Sequence, residues 1–247
     1  MDIQDKHQEV SQEEGSNSVS HFPNDEDLVI TSVEMLRKPK HRYLIRFGPY
    51  SMTVHEDVMI KYRMMKGSMF RKEELEDIVV ADERQRAYVE AIRFLERKPR
   101  TTQEIAQRLH QKGLTADGIE KTIMRLEQER LVDDELYAKQ WAQQRITRQK
   151  KGRMWVRQEL RQKGIETELI AEALHEVSEE DELESAYVIG QKKWQQTKGE
   201  VLDRKRKTGA FLMRRGFTGE QVRKVINRLI AENSEDHESL EEPEEFE

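Results

Sequence analysis

The 247-residue chain is 37% charged and only 35% hydrophobic, has no cysteine, and carries a formal net charge of −6. That composition argues for several small units rather than one thick globular core, and it excludes disulfides and cysteine-ligated zinc. No run approaches the roughly 18 apolar residues of a membrane span, and the start is acidic and polar, so a soluble cytoplasmic protein without membrane contact is expected.

The charge is unevenly placed. Residues 1–27 hold eight acidic side chains against Lys6, and residues 232–247 hold nine with no basic residue. Both ends are expected to be disordered acidic tails, serving either solubility or the shielding of a basic body from a polyanion. The body between them carries a net +10.

Residues 28–81 are expected to form a small β-rich segment with one or two helices. Three short β-branched or aromatic runs, Leu28 to Val33, Arg42 to Phe47 and Ser51 to His55, are split by Lys38-Pro39-Lys40 and Gly48-Pro49-Tyr50. They predict a three-stranded antiparallel sheet, which needs a helix to pack on. Val58 to Lys66 predicts one helix, ending at Gly67, and Arg71 to Val80 another that can run on into the next unit.

The rest of the chain is a threefold repeat. Leu109-His110-Gln111-Lys112-Gly113-Leu114 recurs 51 residues later as Leu160-Arg161-Gln162-Lys163-Gly164-Ile165, and 52 residues after that as Leu212-Met213-Arg214-Arg215-Gly216-Phe217. Each copy reads as a helix end: glycine takes the left-handed closing conformation, the next apolar residue packs back, and the basic residue faces the negative end of the helix dipole. Ile119, Ile123 and Leu126 then follow the first glycine at i, i+4, i+7 spacing, as Ile170, Leu174 and Val177 follow the second and Val222, Ile226 and Leu229 the third. Thr218 with Gln221 forms a capping box for the last helix, whereas Glu166 is a poorer cap for its counterpart. With a stretch around Tyr88 to Arg97 and another opened by Thr101, each unit has about three helices. The expected units are 82–135, 136–183 and 184–231, a mainly α architecture of tandem three-helix repeats.

Asp133, Asp134 and Glu135 invite a metal reading, but carboxylates at a helix start are favoured by its unpaired amides, and no second cluster stands at ligand spacing. Positive charge collects further on. From Lys139 to Lys163 nine basic residues face Glu159 alone, and residues 191–216 add nine more against Glu200 and Asp203. Two adjoining units of one sign predict a continuous surface for nucleic acid or an acidic protein groove. Trp141, Trp155 and Trp194 lie among these charges; they can stack on bases, but Trp141 and Trp194, on the first helix of their units, are expected to pack internally.

The series Leu95 to Thr101, Glu104-Ile105, Leu109 with Lys112-Gly113, Leu131-Val132-Asp133-Asp134-Glu135-Leu136-Tyr137-Ala138, Gly152-Arg153, Glu159-Leu160, Lys163-Gly164-Ile165 and Arg214-Arg215-Gly216-Phe217 resembles the bacterial RecX family over about residues 84–231. The β-rich segment is similar to the extension of longer members, while the acidic tails depart from the pattern. Thr208 departs too, since it stands where the other repeats have Ile105 and Val156, which predicts a looser middle helix in the third unit. The resemblance implies an elongated, curved stack of three-helix units that binds along RecA–DNA filaments; separately, a monomer is expected. The resemblance also implies restraint of ATP hydrolysis, strand exchange and coprotease activity, or promotion of filament disassembly, within DNA repair and the SOS response.

The contact surface toward the RecA filament, or toward single- or double-stranded DNA, is assigned to Arg145, Arg148, Lys150, Lys151, Arg153, Arg157, Arg161 and Lys163, continued by Lys205, Arg206, Arg214 and Arg215. No catalytic residue, metal ligand or cofactor is expected. The chain lacks a Gly-rich phosphate loop, His-Glu-x-x-His and Gly-x-Ser-x-Gly, and its seven histidines are scattered. The rival reading is a helix-turn-helix protein that binds DNA without RecA, because helix, glycine turn, helix is that motif's pattern too. Threefold repetition, and the acidic stretch from Glu166 to Glu172 on a would-be recognition helix, argue against it.

Overall fold

The computed structural model describes residues 18–238, which hold ten α-helices and five short strands. By internal packing the chain divides into two compact units. One runs up to Arg97 and includes Arg108–Arg125; the other comprises Lys98–Gln107 and the chain from Leu126 onward.

In the first unit, β2 (Ser32–Met35), β3 (Arg42–Phe47) and β4 (Tyr50–His55) form an antiparallel sheet in that order, β3 and β4 turning at Gly48 with a positive φ of 62°. Strand β1 (Leu28–Val29) is not part of it. It pairs antiparallel with β5 (Met69–Phe70), Leu28 opposite Phe70, so the expected first strand is divided between two sheets and β5 completes the second. Helix α1 (Glu56–Lys61) is shorter than predicted, because Arg63 and Gly67 take positive φ and turn the chain toward β5. The helices expected at 71–80 and 88–97 are one helix, α2 (Lys72–Leu95), with nothing between them to break it.

Ile30, Ile45, Phe47, Met52, Val54, Val58, Leu75 and Ile78 fill the core between the three-stranded sheet, α1 and α2. A buried ion pair fixes sheet to helix: Arg42 lies 2.8 Å from Asp82, whose other oxygen accepts the His55 amide at 2.6 Å. The expected N-terminal tail is corrected here, because Val19 and Phe22 are buried in this core and Phe22 packs edge-on against Phe47. Two large apolar side chains within four residues gain more by burial than the acidic ones around them gain by solvation. Residues 1–17 lie outside the described residues.

Three tandem three-helix arrays follow. The first is the end of α2 with α3 (Thr102–Gln111) and α4 (Ala116–Gln128). The second is α5 (Asp134–Gln143), α6 (Arg153–Gln162) and α7 (Thr167–His175), with a π-helical turn over Gln144–Arg148 after α5. The third is α8 (Glu179–Gln196), α9 (Val201–Arg214) and α10 (Gly219–Glu238). The second and third arrays each have a core, around Ile146, Val156 and Leu160 in one and Trp194, Leu212 and Phe217 in the other. Helix α10 continues past residue 232, the expected start of the acidic tail: the Tyr187 hydroxyl donates to Glu232 at 2.7 Å, and Arg228 pairs with Glu232 at 2.9 Å one turn apart. The expected tail from 239 to 247 lies outside the described residues.

Candidate functional site

The three glycine turns share one hydrogen-bond pattern. The amide after each glycine reaches back to the leucine carbonyl, Leu114 to Leu109 at 3.3 Å, Ile165 to Leu160 at 3.1 Å and Phe217 to Leu212 at 3.3 Å, with φ of 74°, 77° and 91° at the glycines. This is the double-bonded glycine closure of a helix C-terminus.

Within the second unit these turns also join one repeat to the next. The Thr101 hydroxyl, at the start of α3, donates to the Lys163 carbonyl at 2.7 Å. In the same way the Gly152 and Met154 amides, at the start of α6, donate to the Arg215 and Gly216 carbonyls at 2.9 and 3.1 Å. Middle helices therefore stand end to end, a hydroxyl at the start of α3 meeting a free carbonyl at the end of α6 and amides at the start of α6 meeting free carbonyls at the end of α9, with the facing dipole ends opposite in sign. The approach needs glycine: a Cβ on Gly152 would lie 2.2 Å from the Gly216 carbonyl, and one on Gly216 2.5 Å from the Trp155 nitrogen.

Acids from the next repeat's first helix complete each junction. Asp134 accepts both the amide and the hydroxyl of Thr102, at 3.0 and 2.7 Å, and Glu182 accepts the Arg153 amide at 2.7 Å. The three carboxylates at 133–135 are thus structural: Asp133 caps α5 through the Leu136 amide, Asp134 caps α3, and Glu135 pairs with Lys139 at 2.8 Å.

The junctions sort the basic residues. Lys163 lies 2.8 Å from Glu104, Arg153 3.0 Å from Glu182, and Arg145 2.9 Å from Glu159 with its guanidinium 4.0 Å from the Trp141 ring. These three cations are half-buried and bound within the fold. Glu159, the lone acid of the basic stretch, also accepts the indole N–H of Trp141 at 3.0 Å and of Trp155 at 2.9 Å.

Burial of Glu104 would raise its pKa, but the hydrogen bonds from Lys163 and the Thr101 amide outweigh it and hold the carboxyl below its ordinary range. For Lys163, burial acts downward and is outweighed by the bond to Glu104, so its pKa is raised.

Lys151 stands 3.7 Å over the Trp155 ring, its pKa lowered by burial and then by the neighbouring Arg215 and Arg145. The docking of α6 on the end of α9 has brought two like-charged clusters together. Lys150, beside Ser185 at 3.4 Å, Arg157 and Arg215 are half-buried there. Arg148, Arg161, Lys205 and Arg214 are exposed and make no ion pair among the described residues, while exposed Arg206 pairs with Asp203 on its own helix. Trp194 is buried and Trp141 stacks on Tyr137, whereas Trp155 remains 40% exposed. The internal pairs of Arg145, Arg153 and Lys163 are invisible to a reading that counts charge, since their partners lie up to 59 residues away. The available signal is the carboxylate at the third position of a capping box, Glu104, facing the lysine before a glycine.

Fold and surface define a class: a tandem three-helix repeat protein with a small β-containing N-terminal segment and a concentration of exposed cations on its middle helices. Models of the first, second and third three-helix domains of RecX match residues 87–126, 133–174 and 179–226, in that order. The regulatory protein RecX of Bacillus cytotoxicus is 29% identical over 213 residues, covering 84% of this chain and 79% of the relative. That of Geobacillus thermodenitrificans is 33% identical over 179 residues, covering 71% and 65%. A crystal structure of regulatory protein RecX matches with a TM-score of 0.67 at 27% identity, covering 81% of this chain and 99% of that one. RecX from Lactobacillus salivarius, 22% identical, shares the fold with a TM-score of 0.58 over 61% of this chain and 99% of that one. The chain belongs to the RecX family of regulatory proteins.

Proposed function

We propose that this chain binds RecA–DNA filaments in the cytoplasm and lowers RecA's ATP hydrolysis, strand exchange and coprotease activity during DNA repair and the SOS response. The observation that carries the reading is the meeting of the basic ends of α6 and α9 at the Gly152–Arg215 junction. Arg148, Arg161, Lys205, Arg206 and Arg214 carry the contact, with Lys150, Lys151, Arg157 and Arg215 supporting its potential. Arg145, Arg153 and Lys163 serve it indirectly by holding the fold. A repeat array suits a helical polymer, because successive modules can address successive subunits.

Charge reversal tests the surface. A variant with Arg148, Arg161, Lys205 and Arg214 changed to Glu is expected to keep its thermal midpoint, since none of these side chains makes an internal ion pair among the described residues. It should cosediment weakly with RecA–DNA filaments, with a salt dependence flattened by roughly one unit of slope for each phosphate left without its cation. Unchanged cosedimentation would mean that the surface is wrongly placed.

The rival is DNA binding by a helix-turn-helix without RecA. The helix after the second glycine turn, α7, exposes Glu166, Glu168 and Glu172, a poor match to a phosphate-lined groove. Footprinting that revealed a defined duplex site in the absence of RecA would favour that rival.

A further inference from the structure

We propose that the first glycine turn, Lys112-Gly113-Leu114, is a docking socket for the N-terminal turn of a helix from another protein, one opened by Ser or Thr with Glu three residues on. The two other turns already hold a helix start, the one at Lys163 opened by Thr101 with Glu104 three residues on and the one at Arg215 opened by Gly152, and the backbone hydrogen bonds of all three turns are alike. In the filled turns an added Cβ on Gly164 would lie 2.4 Å from Gln103, and one on Gly216 2.5 Å from Trp155. At Gly113 it would meet nothing within 4 Å. The carbonyls of Lys163, Arg215 and Gly216 accept hydrogen bonds from the docked helix, whereas those of Lys112 and Gly113 accept none among the described residues.

The charge in the socket identifies the occupant. In the filled turn at Lys163, the ammonium pairs with Glu104 at the third position of the docked helix, and the Thr101 hydroxyl meets the Lys163 carbonyl. Lys112 is the counterpart of Lys163. Its ammonium is 3.8 Å from Glu90 and its side chain 47% exposed, so it can reach a carboxylate arriving from outside. This chain's other helix starts opened by Ser or Thr do not supply the pair: Thr115 and Thr218 carry Gly118 and Gln221 at the third place, and the Ser178 hydroxyl, with Asp181 at the third place, is already taken by Glu180 at 2.9 Å and the Asp181 amide at 3.2 Å. Charge complementarity therefore favours a partner protein over a second copy. This partner is defined by its chemistry alone, whatever the outcome for RecA.

A suitable probe is an acetylated, side-chain-cross-linked helical peptide with the sequence Thr101 to Gln111 of this chain, added to isotopically labelled full-length protein. The amides of Lys112, Gly113 and Leu114 are expected to shift saturably with a Kd of about 1 mM or tighter. The response should vanish in Gly113→Asn, whose side chain enters the socket while the left-handed backbone is kept, and with a peptide bearing Lys in place of the Glu. An unchanged melting curve for Gly113→Asn would certify its fold. The proposal is overturned by the absence of saturable shifts at these amides, by shifts only at Lys163 and Gly164, or by a response that survives Gly113→Asn. Shifts that follow protein concentration without peptide would assign the socket to self-association and overturn it equally.

Discussion

Thr208 shows how one position can depart from a repeat without breaking it. It stands where the other middle helices have buried Ile105 and Val156, and it is itself fully buried, with a hydroxyl that has no hydrogen-bond partner among the described residues. A desolvated, unpaired hydroxyl costs about 1–2 kcal/mol, so Thr208→Val is expected to raise the unfolding midpoint in a calorimetric scan. A lowered midpoint would mean that the hydroxyl is satisfied by water. Glycines make the opposite contrast. Gly152→Ala should destabilise by about 1–3 kcal/mol, since its Cβ would fall 2.2 Å from the Gly216 backbone, whereas Gly209→Ala, within α9 and 3.6 Å from Val222, should stabilise by about 0.5–1 kcal/mol. Chemical denaturation of both variants checks the pair. Neither value can be foreseen from the chain alone, because Gly152 and Gly209 read alike until their neighbours are known.

Among the elements, the middle helices and their glycine turns are the most legible, since a leucine, a basic residue and a glycine at fixed spacing dictate a helix end wherever they occur. Their second task, receiving the next helix, is not legible, because end-to-end docking joins residues about 60 apart and leaves no local pattern. Glu104 and Lys163 provide a test of that docking. Glu104 is held below the ordinary carboxylate range in the folded state, so its contribution is present above its unfolded pKa and is lost as pH falls through the lower folded value. Glu104→Gln should cost about 1–2 kcal/mol at neutral pH and nothing once the carboxyl is protonated in the folded protein. Urea titrations of both proteins from neutral to strongly acidic pH should therefore converge. A constant difference would assign the loss to packing. The β-strands are legible as extended runs but not in their pairing. Register across β1 and β5 depends on Arg63 and Gly67 turning the chain back, and a positive φ at an arginine has no signature in composition.

At the scale of the whole molecule, the order of repeats is legible because each carries its own turn, and three successive RecX domain models match the same stretch. The candidate surface is legible only as a quantity of charge. Which cations face outward depends on Glu104, Glu159 and Glu182, acids that bind Lys163, Arg145 and Arg153 inside the fold and leave Arg148, Arg161, Lys205 and Arg214 outside. The N-terminal boundary is hidden for a related reason: average acidity conceals Val19 and Phe22. The central claim, regulation through the RecA filament, is tested most directly by single-stranded-DNA-dependent ATP hydrolysis of the cognate RecA, titrated with this protein below RecA's concentration beside a DNA-only binding control. Hydrolysis is expected to fall at substoichiometric protein, with no sequestration of DNA. Unchanged hydrolysis together with tight binding to bare DNA would contradict the account and leave a helical-repeat DNA-binding protein in its place.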